Sequence, residues 1–198
     1  MIAVVDYGAG NLRSVANALD LLGARYRLAR SPENLEGATA ILLPGVGHFG
    51  QMVAALETAG LMAPLRERLT AGVPYLGICL GLQALYESSE EALGAPGLSL
   101  LRGRVLRFPP GQKVPHMGWT AVEPGGERYY FAHSYYVPAA AEGVTATAEH
   151  GLSFAAIIRC GNLMGTQFHP EKSGPEGLRL LGEWVASCLQ SASSPAST

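Results

Sequence analysis

Five residues near the middle of the chain, Gly77–Gly81 with the sequence Gly-Ile-Cys-Leu-Gly, constrain its backbone most. They lie where an apolar run, Val73–Ile78, meets the stretch Leu80–Glu87, so the pattern predicts a strand, a sharp turn and a helix. Glycine on each side of Cys79 removes side chains that would collide with neighbouring backbone in such a turn. A thiol at a helix N-terminus lies among unpaired N–H groups, which favours the thiolate. The motif therefore indicates a nucleophile elbow, with a buried structural cysteine as the alternative.

The composition favours one globular domain that acts on small molecules or proteins. The chain has 198 residues, of which 48% are hydrophobic and 15% charged, and its net charge is −2. We expect one domain over residues 1–190 and a frayed tail over 191–198, and the charge balance predicts no nucleic-acid or membrane partner. The short apolar start Met1–Asp6 and the three unpatterned cysteines favour the reducing cytoplasm. Because no CxxC or His-rich pattern occurs, we expect no metal. The chain also shows no phosphate-binding glycine loop with Lys and no nucleotide fingerprint, and we expect no cofactor.

Strand-like and helix-like segments alternate in the first half of the chain, which predicts a mostly parallel sheet with helices on both faces. The second half changes to short β-rich runs separated by Gly and Pro, typical of an appended antiparallel region. The predicted strands are Ile2–Asp6, Arg25–Ala29, Ala40–Leu43, Val73–Ile78, Arg104–Phe108, Tyr129–Val137, Val144–Ala148, Phe154–Arg159 and Leu163–Phe168. The predicted helices begin near Leu12, Gln51, Met62, Leu80 and Glu176.

A cysteine nucleophile needs a general base, and that base needs an orienting group. His169 is the favoured base because Glu171 follows two residues later at the end of a strand-like run, and such residues face the same side of an extended chain. An exposed histidine beside a solvated glutamate is the alternative. Another strand runs into Pro44–Gly47, a glycine-containing loop whose N–H groups could approach a ligand. This loop is a candidate oxyanion-hole element.

Three motifs in this order, around Cys79, Pro44–Gly47 and Gln167–Glu171, resemble those of the class I, triad-type glutamine amidotransferases. The resemblance covers nearly the whole chain and implies a single-domain flavodoxin-like α/β fold. Segments that vary within that class, Asp6–Leu12, Pro115–Trp119 and His133–Tyr136, resemble those of glutaminase subunits that serve histidine biosynthesis. Their partner is a (β/α)₈-barrel cyclase subunit, so the resemblance implies a heterodimer that channels ammonia.

The resemblance also implies roles for individual residues. Cys79 would attack the carboxamide of L-glutamine, His169 would move the protons, and Glu171 would orient His169. The remaining site residues are Leu80, Val46 and Gly47 for the oxyanion hole and Gly45, Gln83, Ser134 and Tyr135 for substrate binding. For Gln83 an exposed helix position is the alternative, and for Ser134 and Tyr135 it is a place in a strand core.

A partner surface is predicted from residues that are unusual in a solvated loop. The loop Pro115–Trp119 carries Met117 and Trp119, whose apolar surface is normally buried, together with His116. Asn11 and Arg13 begin the first helix at the same strand-end face and are assigned to this surface as well. Ordinary loop packing, a helix cap at Asn11 and a solvated charge at Arg13 are the alternatives.

Other functions remain open at this point. The chain could serve a different synthase, such as anthranilate or aminodeoxychorismate synthase, or act as a γ-glutamyl cysteine peptidase. It could also be an inactive module that only supports a partner. The cluster of Arg102, Arg104 and Arg107 is assigned no role, because arginines at an edge strand are commonly solvated.

Overall fold

A computed structural model describes residues 1–9 and 11–191. The strands are β1 (Ile2–Val5), β2 (Tyr26–Ala29), β3 (Ala40–Gly45), β4 (Tyr75–Cys79), β5 (Tyr86–Ser89), β6 (Leu101–Arg107), β7 (His116–Glu123), β8 (Glu127–His133), β9 (Tyr135–Tyr136), β10 (Val144–Glu149), β11 (Ser153–Cys160) and β12 (Leu163–Thr166). The helices are α1 (Leu12–Leu21), α2 (Phe49–Thr58), α3 (Met62–Thr70), α4 (Leu80–Gln83) and α5 (Gly174–Ser191), with short 3₁₀ turns at Pro32–Leu35 and Pro170–Lys172.

Nine strands form one mixed sheet in the order β2-β1-β3-β4-β12-β11-β10-β7-β8. The first five are parallel, and the antiparallel strands continue from β12 in the same sheet. The parallel order matches the flavodoxin-like arrangement, in which ligands bind beyond the carboxyl ends of the strands. The expected α/β fold with an antiparallel extension is therefore confirmed. A smaller sheet, β5-β6-β9, lies beside it.

Helices cover both faces of the parallel strands. In β1, Ala3 and Val5 belong to the core shared with α2 and α3, whereas Ile2 and Val4 face α1 and α5. This alternation follows from the two-residue period of a strand that is buried on both sides. The two cores hold the parallel strands rigidly, so their carboxyl ends provide a fixed edge for a site.

Two segments differ from the sequence predictions. The helix expected over Leu80–Glu87 ends at Gln83, and the chain then forms β5, which pairs with β6. The Pro115–Trp119 loop is instead the start of β7, which forms an antiparallel ladder with β8 from His116 to Val122. In both places, pairing with a distant segment outweighs the local sequence preference.

The C-terminal helix α5 is longer than predicted, because it runs from Gly174 to Ser191. The predicted tail over 191–198 thus contributes its first residue to the helix. Residues 192–198 of that tail lie outside the described part of the chain.

Candidate active site

Cys79 is the last residue of β4 and stands at a sharp turn into α4. Its backbone has φ 55° and ψ −105°, a conformation that costs free energy for a residue with a side chain and that clusters at functional sites. A Cβ on Gly77 would lie 2.3 Å from the Gly81 carbonyl oxygen, and one on Gly81 would lie 2.0 Å from that of Leu43. Glycine is therefore required on both sides of the cysteine. This geometry is that of a nucleophile elbow.

His169 reaches the elbow because β12 pairs in parallel with β4, with Thr166 beside Ile78. The chain continues three residues beyond β12 to His169, whose backbone N–H donates to the Tyr130 carbonyl at 2.9 Å. The side chain of Ser173 donates to the His169 carbonyl at 2.7 Å. These bonds hold the imidazole beside Cys79, whose sulfur interacts with it electrostatically.

Glu171 orients the other side of the imidazole. Its Oε1 lies 2.9 Å from His169 Nδ1, and the two side chains are only 1% and 3% exposed. A carboxylate accepts only, so Nδ1 carries a hydrogen and Nε2 is left for the thiol. The order Cys79, His169, Glu171 therefore matches a nucleophile, a base and an orienting acid.

The charge state of this trio follows from burial and its neighbours. Burial disfavours the imidazolium, whereas the negative sulfur of Cys79 and the carboxylate of Glu171 favour it, and the balance raises the pKa of His169 from 6.5 to about 10. The imidazole is therefore protonated at neutral pH and places a positive charge beside the Cys79 sulfur. Helix α4, whose N-terminus was expected from sequence to favour the thiolate, has a single turn.

A cavity of about 150 Å³ opens over Cys79 and holds most of the predicted site residues. Its lining is Val46, Gly47, Cys79, Leu80, Gln83, Glu91, Ala132, His133, Ser134, Tyr135, His169 and Lys172. Two predicted residues stand behind this lining. Glu171 lies beyond His169, and Gly45 pairs with Cys79 across β3 and β4, where it sets the position of the loop that follows.

Gln83 is buried in the wall of the cavity, contrary to the alternative of an exposed helix position. Its Nε2 donates to the Tyr135 carbonyl at 3.0 Å and to Gln167 Oε1 at 3.1 Å. Gln167 Nε2 in turn lies 3.6 Å from the Cys79 sulfur. Gln83 Oε1 is buried and has no hydrogen-bond partner among the described residues. An unpaired buried acceptor in a pocket wall indicates a site for a donor group of a ligand.

Sequence reasoning missed four residues of the site. Glu91 and Lys172 contribute opposite charges to the cavity, His133 lines it, and Gln167 lies behind the lining, where it accepts from Gln83. Gln167 is the first residue of the His169 motif and Lys172 follows its last, and that proximity was a usable signal. Glu91 gives no such signal, because only the fold brings it near Cys79, where its Oε2 accepts from the Phe49 N–H at 2.8 Å.

The predicted partner surface is only partly exposed. Met117 and Trp119 are 63% and 48% exposed, and Arg13 is exposed as well. His116 is 5% exposed, because alternation along β7 turns it to the opposite face from Met117 and Trp119. Its expected place on the surface is therefore corrected. Asn11 occupies the N-cap position of α1 but, within the described chain, its side chain makes no capping hydrogen bond.

Neither a membrane-spanning helix nor a metal cluster occurs among the described residues. None of the helices there is long and apolar enough to cross a membrane. Likewise, in residues 1–9 and 11–191, three or more His, Cys, Asp or Glu side chains nowhere come together as a metal site.

Residues 3–187 match the family model of class I glutamine amidotransferases. The chain belongs to this family. It is 50% identical to the imidazole glycerol phosphate synthase subunit HisH of Moorella thermoacetica, over 91% of each chain. It is 48% identical to the same subunit of Methanothermobacter thermautotrophicus, over 93% of this chain and 98% of the other. Within the glutamine amidotransferases it therefore groups with the HisH subunits, and it is an enzyme of the glutamine amidotransferase type.

The fold is shared with a solved structure described as a glutamine amidotransferase. The two superpose with a TM-score of 0.73 at 24% identity, over 94% of this chain and all of the other. At that identity the likeness supports the fold alone.

Proposed function

We propose that the chain hydrolyses L-glutamine at Cys79 and supplies the ammonia to a (β/α)₈-barrel cyclase subunit of imidazole glycerol phosphate synthase. The observation that carries this proposal is the buried line from Cys79 through His169 to Glu171 at the floor of the cavity. The similarity to HisH subunits favours this synthase over the chorismate-using ones and over a peptidase.

The reaction follows from the charges of the trio. The thiolate of Cys79 attacks the carboxamide carbon and forms a C–S bond, and the proton of His169 goes to the departing nitrogen, which leaves as ammonia. The γ-glutamyl thioester then reacts with water, whose proton returns to His169, and glutamate leaves as the C–S bond breaks. Glu171 keeps the imidazole in one orientation throughout.

An oxyanion forms on the carbonyl in both steps. The N–H of Leu80 and one N–H of the loop at Val46 and Gly47 are the proposed donors, because both segments line the cavity beside Cys79. One such donor contributes about 3 kcal/mol to transition-state stabilisation in comparable sites. Gly47 has φ +98°, and its peptide can change orientation cheaply, so we infer that partner binding completes the hole.

The amino-acid end of glutamine is assigned to the opposite wall. The unpaired Gln83 Oε1 and the carboxylate of Glu91 would accept from its ammonium group. Lys172 and the backbone at Ser134 and Tyr135 are the proposed contacts of its carboxylate.

Ammonia is protonated in neutral water and then ceases to be a nucleophile, which is the chemical reason for a docked acceptor. We assign docking to the surface that carries Arg13, Met117 and Trp119, and we place the protein in the cytoplasm. The free thiols of Cys79, Cys160 and Cys188 support a reducing compartment.

Replacement of the nucleophile tests the proposal. We expect Cys79→Ser to abolish glutamine hydrolysis, while the complex with the cyclase still makes product from added ammonium salt. Cys160→Ser is the matched control and keeps full activity, since Cys160 lies outside the cavity. Hydrolysis by Cys79→Ser at the native rate would overturn the assignment.

A second experiment tests the loop at Val46 and Gly47. Glutamine turnover is measured for the chain alone, with the partner, and with the partner plus its ligand. Equal rates in all three would exclude coupling between partner binding and the oxyanion hole.

A further inference from the structure

Two buried histidines, His116 and His133, form a polar chain that the hydrolytic trio does not use. They face each other across β7 and β8, where they are paired residues of the ladder. His116 Nδ1 lies 3.1 Å from His133 Nε2, and the two side chains are almost fully buried. Buried polar groups of this kind specify one arrangement of their surroundings when all of them are bonded.

The direction of each hydrogen bond follows from the two ends of the chain. His133 Nδ1 lies 2.8 Å from the Tyr135 carbonyl oxygen, which accepts only, so Nδ1 carries the hydrogen. A neutral His133 then accepts at Nε2 from His116 Nδ1. His116 Nε2 accepts from the Thr120 hydroxyl at 2.9 Å. We call these four groups, Thr120, His116, His133 and the Tyr135 carbonyl, the imidazole chain.

Both rings are neutral, as this assignment requires. Burial and the neighbouring His150 lower the pKa of His116 to about 4. Burial also lowers the pKa of His133 to about 3, against the effect of its hydrogen bond to Tyr135. Aromatic rings enclose the pair, with Phe131 stacked on His116 and Phe154 beside both rings. Each imidazole therefore has one tautomer and one orientation.

The imidazole chain ends at the wall of the cavity. The Tyr135 carbonyl accepts from His133 and also from Gln83 Nε2 at 3.0 Å. Gln83 Nε2 is held there, and its Oε1 is buried and has no hydrogen-bond partner among the described residues. The orientation of the Gln83 amide thus depends on the Tyr135 carbonyl, which His133 also holds, together with Gln167 Oε1.

We propose that His116 and His133 are positioning residues for glutamine binding, which act by fixing the Tyr135 carbonyl and through it the amide of Gln83. This inference rests on the proposed function, since the pocket must bind glutamine. It predicts an effect on substrate affinity that leaves the reactivity of Cys79 unchanged, because neither ring contacts the thiol or His169 by hydrogen bond in the described structure.

Alkylation of the full chain by iodoacetamide separates these two effects. Its rate without glutamine reports the thiolate, and the glutamine concentration that halves the rate reports binding. For His133→Leu we expect that concentration to rise about tenfold, the equivalent of one lost hydrogen bond. The free rate is compared in His116→Leu, whose ring lies outside the cavity lining, and it should stay within about twofold of native there. His133→Asn keeps a donor near the Nδ1 position and should return the value to within about threefold of native.

A double variant and a packing control complete the design. His116→Leu should act like His133→Leu, and the double variant should be no worse than either, because both break one chain. Phe154→Leu removes ring packing from the same cluster without a hydrogen bond of the chain. It should lower the melting temperature and leave glutamine protection unchanged.

The outcomes distinguish the two proposals. If glutamine does not protect the native chain, the proposed function fails, and the positioning role fails with it. If glutamine protects the native chain and the histidine variants equally, only the positioning role is overturned. If the histidine variants lost both the alkylation rate without glutamine and the protection by glutamine, the histidines would have only a general structural role. The same would hold if Phe154→Leu shifted the half-protecting glutamine concentration as much as they do. Either result would overturn the proposal as well.

Discussion

Replacement of Glu171 by glutamine tests how much the carboxylate contributes to the charge on His169. Glu171→Gln keeps the size of the side chain and an oxygen that can accept from Nδ1, so the change removes mainly the charge. The bond is 2.9 Å long and both side chains are almost fully buried, so water screens it little. A hydrogen bond to a charged group contributes about 1.5–3 kcal/mol, roughly twice a neutral one.

The expected loss is therefore about 1.4 kcal/mol, which equals about one unit of pKa or a factor of about ten in rate. We expect the pKa of His169 to fall by about one unit in Glu171→Gln, because the imidazolium loses one of its two negative neighbours. Glutamine turnover should fall about tenfold or more at neutral pH, since an amide can also present its NH₂ group to Nδ1.

An NMR titration of the His169 imidazole, paired with steady-state glutaminase assays in the complex, measures both effects. Glu176→Gln is the matched control, because Glu176 is half-exposed and pairs with Arg179 at the surface. A pKa within 0.3 units of native and turnover within twofold, in the Glu171 variant, would refute the role given to the carboxylate.

The same shift predicts how stability depends on pH. The pKa of the His169 imidazole is 6.5 in the unfolded chain and about 10 in the folded chain. Its contribution to the free energy of unfolding is therefore complete below pH 6.5. That contribution is lost as the pH rises through about 10. The free energy of unfolding of Glu171→Gln should therefore decline less between pH 6.5 and 10 than that of the native chain.

Three further predictions concern the glycine at the nucleophile elbow, the loss of stability at acid pH and the hydrogen bonds of Asn162. Gly81→Ala should abolish glutaminase activity in steady-state assays, because its Cβ would lie 2.0 Å from the Leu43 carbonyl oxygen. The pKa values of His116 and His133 are lowered to about 4 and about 3, so their contribution to the free energy of unfolding is complete above pH 6.5 and is lost as the pH falls toward 3. Denaturant titrations should show a less steep loss in His116→Leu than in the native chain. Asn162→Ala should lower the free energy of unfolding by about 2 kcal/mol in urea titrations, since two carbonyls lose their donor.

Each of these has a matched control and a contrary outcome. Gly182→Ala meets only the flexible end of Leu22 and should stay active, so equal loss in both glycine variants would contradict the elbow argument. If the stability of His116→Leu fell with acid pH as steeply as that of the native chain, groups other than His116 would cause the loss. Asn17→Ala, at an exposed position of α1, provides the comparison for Asn162→Ala, and similar stability losses would contradict the role given to the two Asn162 hydrogen bonds.

The hydrolytic trio could be predicted from sequence because each member lies next to a strand end. Cys79 follows an apolar run, and His169 and Glu171 have the two-residue spacing of an extended chain. Parallel strands bring such ends to one edge, so the strand pattern alone places them together. Their roles remain predictions until the variants are measured.

The imidazole chain could not be predicted in this way. His116 and His133 meet only because β7 and β8 pair in one register, and a shift of one residue would turn them to opposite faces. The segment around His116 contains proline and glycine and has a loop-like composition, so its strand was missed. Likewise, β5 follows a helix-like run and forms only because β6 offers a partner.

The pairing of β12 with β4 has a consequence for the life of the chain in the cell. Cys79 is synthesised early, but its base arrives 90 residues later, on the segment that follows β12. The segment that carries the proposed base therefore reaches Cys79 only when the last parallel strand, β12, has been made and has joined the sheet. A chain that stops before β12 contains the cysteine and lacks the rest of the hydrolytic trio.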